Sequence, residues 1–193
     1  MINIKNINLH EEKKLLNEVA YLHKKYFQKT IATTLSNKDL SKLYFYLVKN
    51  EIISLFIALD KNKVVGSMSY KEKIDLKKTT IFDIVLITII LFKGFVKHPL
   101  TWIVELTFKF NLYKNYSKET EIILIFVDQN YRGQNIGENL LKKLQSKNKN
   151  ICVDTRKNNL NAIKFYKKNG FVEINKNRKN ISLEFTSNSV SNA

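Results

Sequence analysis

The sequence predicts one α+β domain in which helices flank a mixed central β-sheet. Its 193 residues fit a single core, since one domain usually spans about 100 to 200 residues. Short β-rich runs alternate with helical patterns, and no repeat or linker divides them. One run, residues 121–127 (EIILIFV), is apolar almost throughout, which is typical of a strand covered on both faces. We therefore expect this strand in the middle of the sheet.

Two helices are predicted near the N-terminus. Apolar residues recur at helical spacing in residues 11–27, after two acidic residues that suit the positive end of a helix. A second helical pattern covers residues 40–48, with Ser36 or Asn37 as its N-cap. The polar segment 30–36 is expected to be a connector.

A β-hairpin is predicted next. Residues 52–59 (IISLFIAL) and 63–70 (KVVGSMSY) are short β-rich runs, and three turn-forming residues separate them. Gly66 lies inside the second run, where a glycine marks a bulge or a close approach of another backbone.

The second half of the chain alternates strands with helices. After the central strand the patterns predict a helix near 137–147, a strand near 150–155, a helix near 159–168 and strands near 171–175 and 180–185. Residues 186–193 are rich in Ser and Asn, so we expect a flexible tail after a domain of residues 1–185.

Residues 74–118 form an apolar insert that is longer than an ordinary loop. Its apolar runs, 81–92 and 100–110, fall short of the roughly 20 residues that cross a bilayer, so the insert is predicted to be helical and not transmembrane. Such a surface is expected to be buried as a lid or in a dimer. Flanking lysines and Trp102 leave contact with a membrane surface as the alternative.

The charge and the rare residue types exclude several classes of site. A net charge of +16 attracts polyanions, but no run of five or six basic residues predicts a specific nucleic-acid partner. The lone Cys152 cannot form an internal disulfide, and the three histidines have no metal-ligand spacing, so we expect no metal. The N-terminus lacks the pattern of a secretory signal, which predicts a cytoplasmic protein.

The segment from Val127 to Leu141 carries the first motif. An apolar strand ends there, turns and opens a helix. The free N–H groups at a helix N-terminus bind phosphate, and Gly133 and Gly137 allow the backbone to approach an anion closely. The segment lacks the spacing of a Walker loop or of a dinucleotide-binding turn.

The second motif lies downstream, in residues 159–171 (NLNAIKFYKKNGF). Asn159 and Tyr166 are two helical turns apart, so they share one helix face, and Gly170 suits a helix C-cap. Asn159 is equally explained as a helix N-cap.

Together the two motifs resemble the GNAT superfamily of N-acetyltransferases. The family's pyrophosphate loop reads Gln/Arg-x-x-Gly-x-Gly/Ala, and Arg132 and Gly137 match its first and last positions. Asn135 replaces the middle glycine, but asparagine is the non-glycine residue that best tolerates positive φ. The family's second segment reads Asn-x-x-Ala-x-x-x-Tyr-x-x-x-Gly-Phe, which residues 159–171 match.

This resemblance implies that acetyl-CoA is the co-substrate and that its pantetheine lies between the fourth and fifth strands. It implies backbone contacts at Ile125 and Val127. The remaining cofactor-binding residues that it implies are Arg132, Gly133, Gln134, Asn135, Ile136, Gly137, Glu138, Asn159 and Tyr166.

The resemblance also implies catalytic roles. Tyr166 resembles the tyrosine that protonates the departing thiolate in many family members. The family often uses a glutamate of the fourth strand as general base, which makes Glu121 the candidate and Glu105 a second one. The alternative is a purely structural role, in which Tyr166 is a core tyrosine and Glu121 is a solvated residue at the end of its strand.

The sequence thus predicts an N-acetyltransferase that acts by direct attack of the primary amine of a small molecule. An amino-sugar nucleotide suits the basic charge. The insert is expected to help wall the acceptor site. The alternatives are transfer of another acyl group or to a hydroxyl, a non-catalytic CoA-binding module, and a basic protein that binds a membrane surface or nucleic acid.

Overall fold

A computed structural model describes residues 2–7, 13–27, 30–72, 80–103, 120–176 and 180–187. The described strands form one sheet in the order β1-β2-β3-β4-β5-β7-β6. All neighbours are antiparallel except β4 and β5, which are parallel. The strands are β1 (Asn3–Asn6), β2 (Ser54–Asp60), β3 (Lys63–Lys71), β4 (Thr120–Val127), β5 (Asn150–Arg156), β6 (Val172–Lys176) and β7 (Asn180–Thr186).

Helices cover both faces of this sheet. They are α1 (Lys13–Tyr26), α2 (Ile31–Thr34), α3 (Asn37–Lys49), α4 (Ile81–Lys97), α5 (Ile136–Gln145) and α6 (Leu160–Lys168), and residues 99–103 are helical as well. One apolar core joins the sheet to α5 and α6. A second core joins the opposite face to α1, α3 and α4. The predicted mixed sheet with flanking helices is therefore confirmed.

Most predicted elements are present with local chemistry that explains them. The Ser36 hydroxyl caps α3 by accepting from Asp39 N at 3.0 Å. The hairpin β2–β3 turns through Lys61 and Asn62, both with positive φ, as a tight turn between twisted strands requires. β4 is the fourth of seven strands, which confirms its predicted central place.

Gly66 shows the close approach expected of it. A Cβ at this position would lie 3.1 Å from the carbonyl oxygen of Phe126 and 3.3 Å from a methyl of Ile136. A register shift between Ala58 and Leu59 places a bulge beside it. The glycine lets β4 and α5 pack tightly against β3.

The sequence did not predict β1 and α2. β1 is a four-residue edge strand paired with β2, too short and polar for a periodic signal. α2 lies within the predicted connector 30–36, where the hydroxyl of Thr33 bonds to both backbone groups of Thr30 and closes a single turn. Threonine is common both in helix caps and in loops, so a helix of four residues cannot be predicted from its threonines.

The described part of the insert is a helix that packs on α2 and α3. Asp83, Ile90 and Gly94 form its buried side, and the opposite side is exposed. The outward side of α4 is exposed in the single chain, so the expected burial within the monomer is wrong for this side, and burial in a dimer stays a prediction. Residues 73–79 and 104–119, with the candidate base Glu105, lie outside the described residues, as do residues 188–193 of the predicted tail.

Within the described ranges, no helix combines the length and the hydropathy that a membrane span requires.

Candidate active site

The centre of the sheet opens between β4 and β5. The two parallel strands pair only at Thr120–Ile151, Glu121–Cys152 and Ile122–Val153. Beyond Ile122, β4 remains paired with β3, and the described ladder to β5 ends. A fork with an unpaired backbone edge is thus formed along residues 123–127.

A β-bulge in β4 begins at the same point. Tyr70 pairs with Ile122 and Ser69 with Leu124, so Ile123 is an extra residue in β4. The insertion shifts the alternation of side chains: Ile122 and Ile125 both face the core beneath α5 and α6. A bulge bends its strand and increases its twist, which is the physical reason that β4 leaves β5 here.

The loop that follows β4 has the backbone of an anion site. Gly133 has φ 81°, and a Cβ at this position would meet nothing within 4 Å, so the space above the loop is open. Asn135 has φ 57° and ψ 14° at the N-cap of α5, and its side chain makes no cap hydrogen bond. The first N–H groups of α5 are therefore left for an anion, as the fit of a pyrophosphate requires. The tolerance of Asn135 for positive φ, expected from its type, is confirmed.

Gly137 faces the interior of the protein, and its expected contact with the cofactor stays a prediction. A Cβ there would contact the Phe165 ring and Val127 at 3.5 to 3.6 Å, so it points into the protein and not toward the open side of the loop. Ile136 is buried, and the Glu138 carboxylate is 2.9 Å from the ammonium of Lys142. At these three positions only backbone groups are suited to contact an anion.

Side chains from α1 and the hairpin fix this loop. Tyr26 Oη accepts from Gln129 N at 2.8 Å, and the guanidinium of Arg132 lies over the Tyr26 ring at 5.3 Å from its centroid. Tyr131 Oη donates to Asp60 at 2.9 Å. Gln134 is exposed at the tip. The loop is thus preorganised, with Arg132 placed to reach a phosphate from one side.

Lysines outnumber acidic residues on one side of the loop. A pocket of about 500 Å³ beside it is lined by Lys14, Lys25, Lys61 and Lys63, together with Glu18 and Asp128. Burial works to raise the pKa of Asp128, but the N–H of Asn130 and the nearby Lys25 outweigh it and hold that pKa below its ordinary value. The acid therefore stays ionised and keeps Lys25 at 3.5 Å.

The second motif lies on α6, under the fork. Asn159 is the N-cap of α6, and its Oδ1 accepts from Ala162 N at 3.3 Å, which makes it a helix cap. Tyr166 is 4% exposed and packs against Phe165 and Phe171 in the same core as Ile122 and Val153, the last paired residues of the fork. Burial raises the pKa of the Tyr166 phenol well above its ordinary value.

A polar cluster lies on the opposite face of the sheet, where β4 and β5 part. Lys71 Nζ is 2.6 Å from Glu121 Oε2, and Ser182 Oγ donates to Asp154 Oδ1 at 2.5 Å. Glu121 and Asp154 alternate with Ile122 and Val153, whose side chains face the first core, so both carboxylates point to the other face.

Asp154 is the perturbed acid of this cluster. Burial first, and then the negative charge of Glu121, raise the pKa of Asp154, while the Ser182 hydroxyl and Lys71 oppose the rise. Sequence reasoning missed this residue and Lys71. The one signal for Asp154 in the sequence is its charge inside the apolar run ICVDT. The alternation of side chains along a strand, taken alone, places such a charged residue on the solvated face.

The described residues contain no group of His, Cys, Asp and Glu side chains close enough to hold a metal ion. Cys152 is buried in β5, opposite Glu121.

A family model matches part of the chain. Residues 101–173 match the model of an acetyltransferase (GNAT) domain. A comparison with curated proteins gave no significant match.

Solved structures share the fold over nearly the whole chain. The ribosomal-protein-S18-alanine N-acetyltransferase from Escherichia coli has a TM-score of 0.56 at 15% identity, covering 96% of this chain and 94% of that one. An acetyltransferase from Thermus thermophilus has a TM-score of 0.60 at 12% identity, with coverages of 96% and 97%. The PaiA N-acetyltransferase from Thermoplasma acidophilum in complex with coenzyme A has a TM-score of 0.56 at 13% identity, with coverages of 96% and 99%.

The left-handed conformation at Asn135 gives a direct test of the loop. Asn135→Gly should keep the affinity for coenzyme A. Asn135→Val should weaken it roughly 5- to 30-fold, because a β-branched residue at positive φ costs about 1 to 2 kcal/mol. Titration calorimetry with coenzyme A measures both. Asn139→Val, an exposed position in the following helix, is the matched control and should bind as the wild type. Equal affinities for the two valine variants would mean that the loop does not hold the cofactor.

Proposed function

We propose that this chain is an acetyltransferase of the GNAT superfamily, whose domain model matches residues 101–173, and that a primary amine of a small molecule attacks acetyl-CoA directly. The observation that carries the proposal is the fork between β4 and β5, which has an anion-binding loop at one end and two carboxylates at the other.

Acetyl-CoA fits this fork as acetyl donor and supplies the acetyl group as an activated thioester. The N–H groups at the start of α5 and the side chain of Arg132 would hold its pyrophosphate. The unpaired edge of β4 at Ile125 and Val127 would bind the pantetheine as a neighbouring strand would. The lysines around the adjoining pocket favour binding of the cofactor's phosphates at the end of the fork that carries the loop.

The acceptor amine is proposed to bind at the polar cluster. The carboxylates of Glu121 and Asp154 attract an ammonium group. Glu121 is held in an ion pair with Lys71, and protonation would break that pair. Asp154 accepts from the neutral hydroxyl of Ser182 and has a raised pKa, which suits a group that must accept a proton. We therefore assign general-base catalysis to Asp154 and give Glu121, the base expected from the sequence, the role of attracting the amine.

Tyr166 is proposed as the proton donor to the leaving thiolate. It lies in the core that adjoins the fork, and its raised pKa keeps the phenol protonated at neutral pH. A buried, protonated hydroxyl next to a developing thiolate donates without competition from water. The two proton transfers would then take place on opposite faces of the sheet.

A panel of acceptor substrates tests which class of amine is acetylated. Small primary amines, including an amino-sugar nucleotide, are the proposed class. A protein N-terminus is the second candidate, because the E. coli structure with the same fold is by name an N-acetyltransferase of a ribosomal-protein alanine. Thiol release with acetyl-CoA should be stimulated by small amines. Stimulation by peptides with free N-termini alone would reverse the order of the two candidates.

Tyr166→Phe should keep the affinity for acetyl-CoA and lower kcat roughly 10- to 1000-fold, the usual scale for loss of a general acid. Steady-state thiol release gives kcat, and calorimetry gives the affinity. Tyr44→Phe is the matched control, since Tyr44 is also buried with a raised pKa but lies in the second core. Wild-type kcat in Tyr166→Phe would remove the hydroxyl from the mechanism.

Asp154→Asn should lower kcat/KM at neutral pH by about 100-fold. In the wild type, kcat/KM should fall as the pH drops through the raised pKa of Asp154, because the protonated acid accepts no proton, and the variant should lose this dependence. Folding raises this pKa, so ionisation of Asp154 destabilises the folded state as the pH rises through it. The Asp154→Asn variant should therefore be at least as stable as the wild type at neutral pH.

Glu121→Gln provides the contrast for the same experiment. It should raise KM for the amine and keep the fall of kcat/KM at low pH, with the midpoint moved to lower pH because the charge of Glu121 no longer raises the pKa of Asp154. If Glu121→Gln loses that dependence and Asp154→Asn keeps it, the two roles are exchanged.

A further inference from the structure

We propose that the outward side of α4 is a docking surface for an anionic lipid bilayer, with the helix lying parallel to the membrane plane. The inference rests on the orientation of α4 and on the charge around it, and it does not depend on the proposed reaction. The outward side is defined by residues Ile81, Phe82, Val85, Ile89, Phe92 and Val96, all of them exposed large apolar side chains.

These residues form one continuous stripe. At about 100° per residue they fall within a sector of roughly 100° directly opposite Asp83, Ile90 and Gly94, the buried side of the helix. Val85 is 48% exposed and Phe92 62% exposed. Leu100 and Ile103 of the next helical residues are exposed as well. A soluble surface rarely shows so large an apolar patch without a partner.

The rotation of α4 is fixed by contacts that exclude the opposite orientation. Both carboxylate oxygens of Asp83, 1% exposed, accept from Lys49 Nζ at 3.0 Å. A Cβ at Gly94 would lie 2.6 Å from Thr34 Oγ1, so only glycine allows this close packing on α2. Trp102 Nε1 donates to the same hydroxyl at 3.2 Å. The helix thus turns its acidic residue and its glycine inward and its large apolar residues outward.

The charge beside the stripe favours an anionic bilayer. α3 and α4 together carry five lysines and two aspartates. Both aspartates are in ion pairs, Asp39 with Lys93 and Asp83 with Lys49, so the two helices keep a positive excess. The whole chain carries +16. Two copies that met through this face would bring like charges together, whereas anionic headgroups neutralise them.

The length of α4 decides how it can meet a bilayer. Its 17 residues extend about 25 Å, and it does not qualify as a membrane span. A helix held flat against a folded domain, with apolar residues along its outer side and lysines at its flank, inserts only to the depth of the headgroup region. Lys93 and Lys97 lie on one flank of the stripe, from which their long side chains can reach the headgroups.

The test is flotation of the full chain with phosphatidylcholine vesicles and with mixed phosphatidylcholine–phosphatidylglycerol vesicles. The wild type should float with the anionic vesicles and only weakly with the neutral ones. Val85→Glu should lower the bound fraction about tenfold or more, since it removes one apolar contact and adds a repelled charge. Val172→Glu, the same change at a site 53% exposed on β6, should bind as the wild type.

Each other outcome decides against the proposal. The emission of Trp102, the only tryptophan, reports whether α4 is still docked in every variant. Binding of a folded Val85→Glu at the wild-type level would show that the stripe does not touch lipid. A wild-type dimer that Val85→Glu converts to monomer, without flotation of either, would assign the stripe to a second copy. Equal flotation with both vesicle types would remove the role of the charge.

Discussion

The separation of β4 from β5 is the constraint on which the rest of the site depends. One extra residue, Ile123, bends β4 after three paired positions and leaves a backbone edge without a strand. The point where the strands part has side chains on both faces of the sheet: Tyr166 of α6 shares a core with Ile122 and Val153, and Asp154 and Glu121 lie on the opposite face. A pairing that continued along β5 would close the slot and separate these groups.

The two ends of the fork have opposite electrostatic character. At one end the N-terminus of α5, Arg132 and the lysines around the pocket present positive charge. At the other end two carboxylates and one lysine form a cluster in which burial raises the pKa of Asp154. An extended molecule with phosphates at one end and a reactive acyl group at the other would fit this difference in charge, and the proposed amine acceptor would be attracted to the carboxylates.

Much of this arrangement could be predicted from the sequence, because its signals are local. The apolar run of β4, the turn with Gly133 and Asn135, and the helix around Tyr166 each carry a pattern that fixes a short segment. The bulge at Ile123, the partnership of Asp154 with Ser182, and the order in which β7 lies between β5 and β6 depend on contacts between distant segments. The outward orientation of α4 follows from Lys49 and Thr34, which no periodicity within the helix reveals.

Hydrogen–deuterium exchange with and without acetyl-CoA tests the central claim most directly, since it reports which backbone amides the cofactor protects. The fork predicts protection in residues 123–127 and 133–138, with β1 and α4 unchanged. Protection confined to other segments, or none at millimolar acetyl-CoA, would contradict the assignment of the fork as the active site.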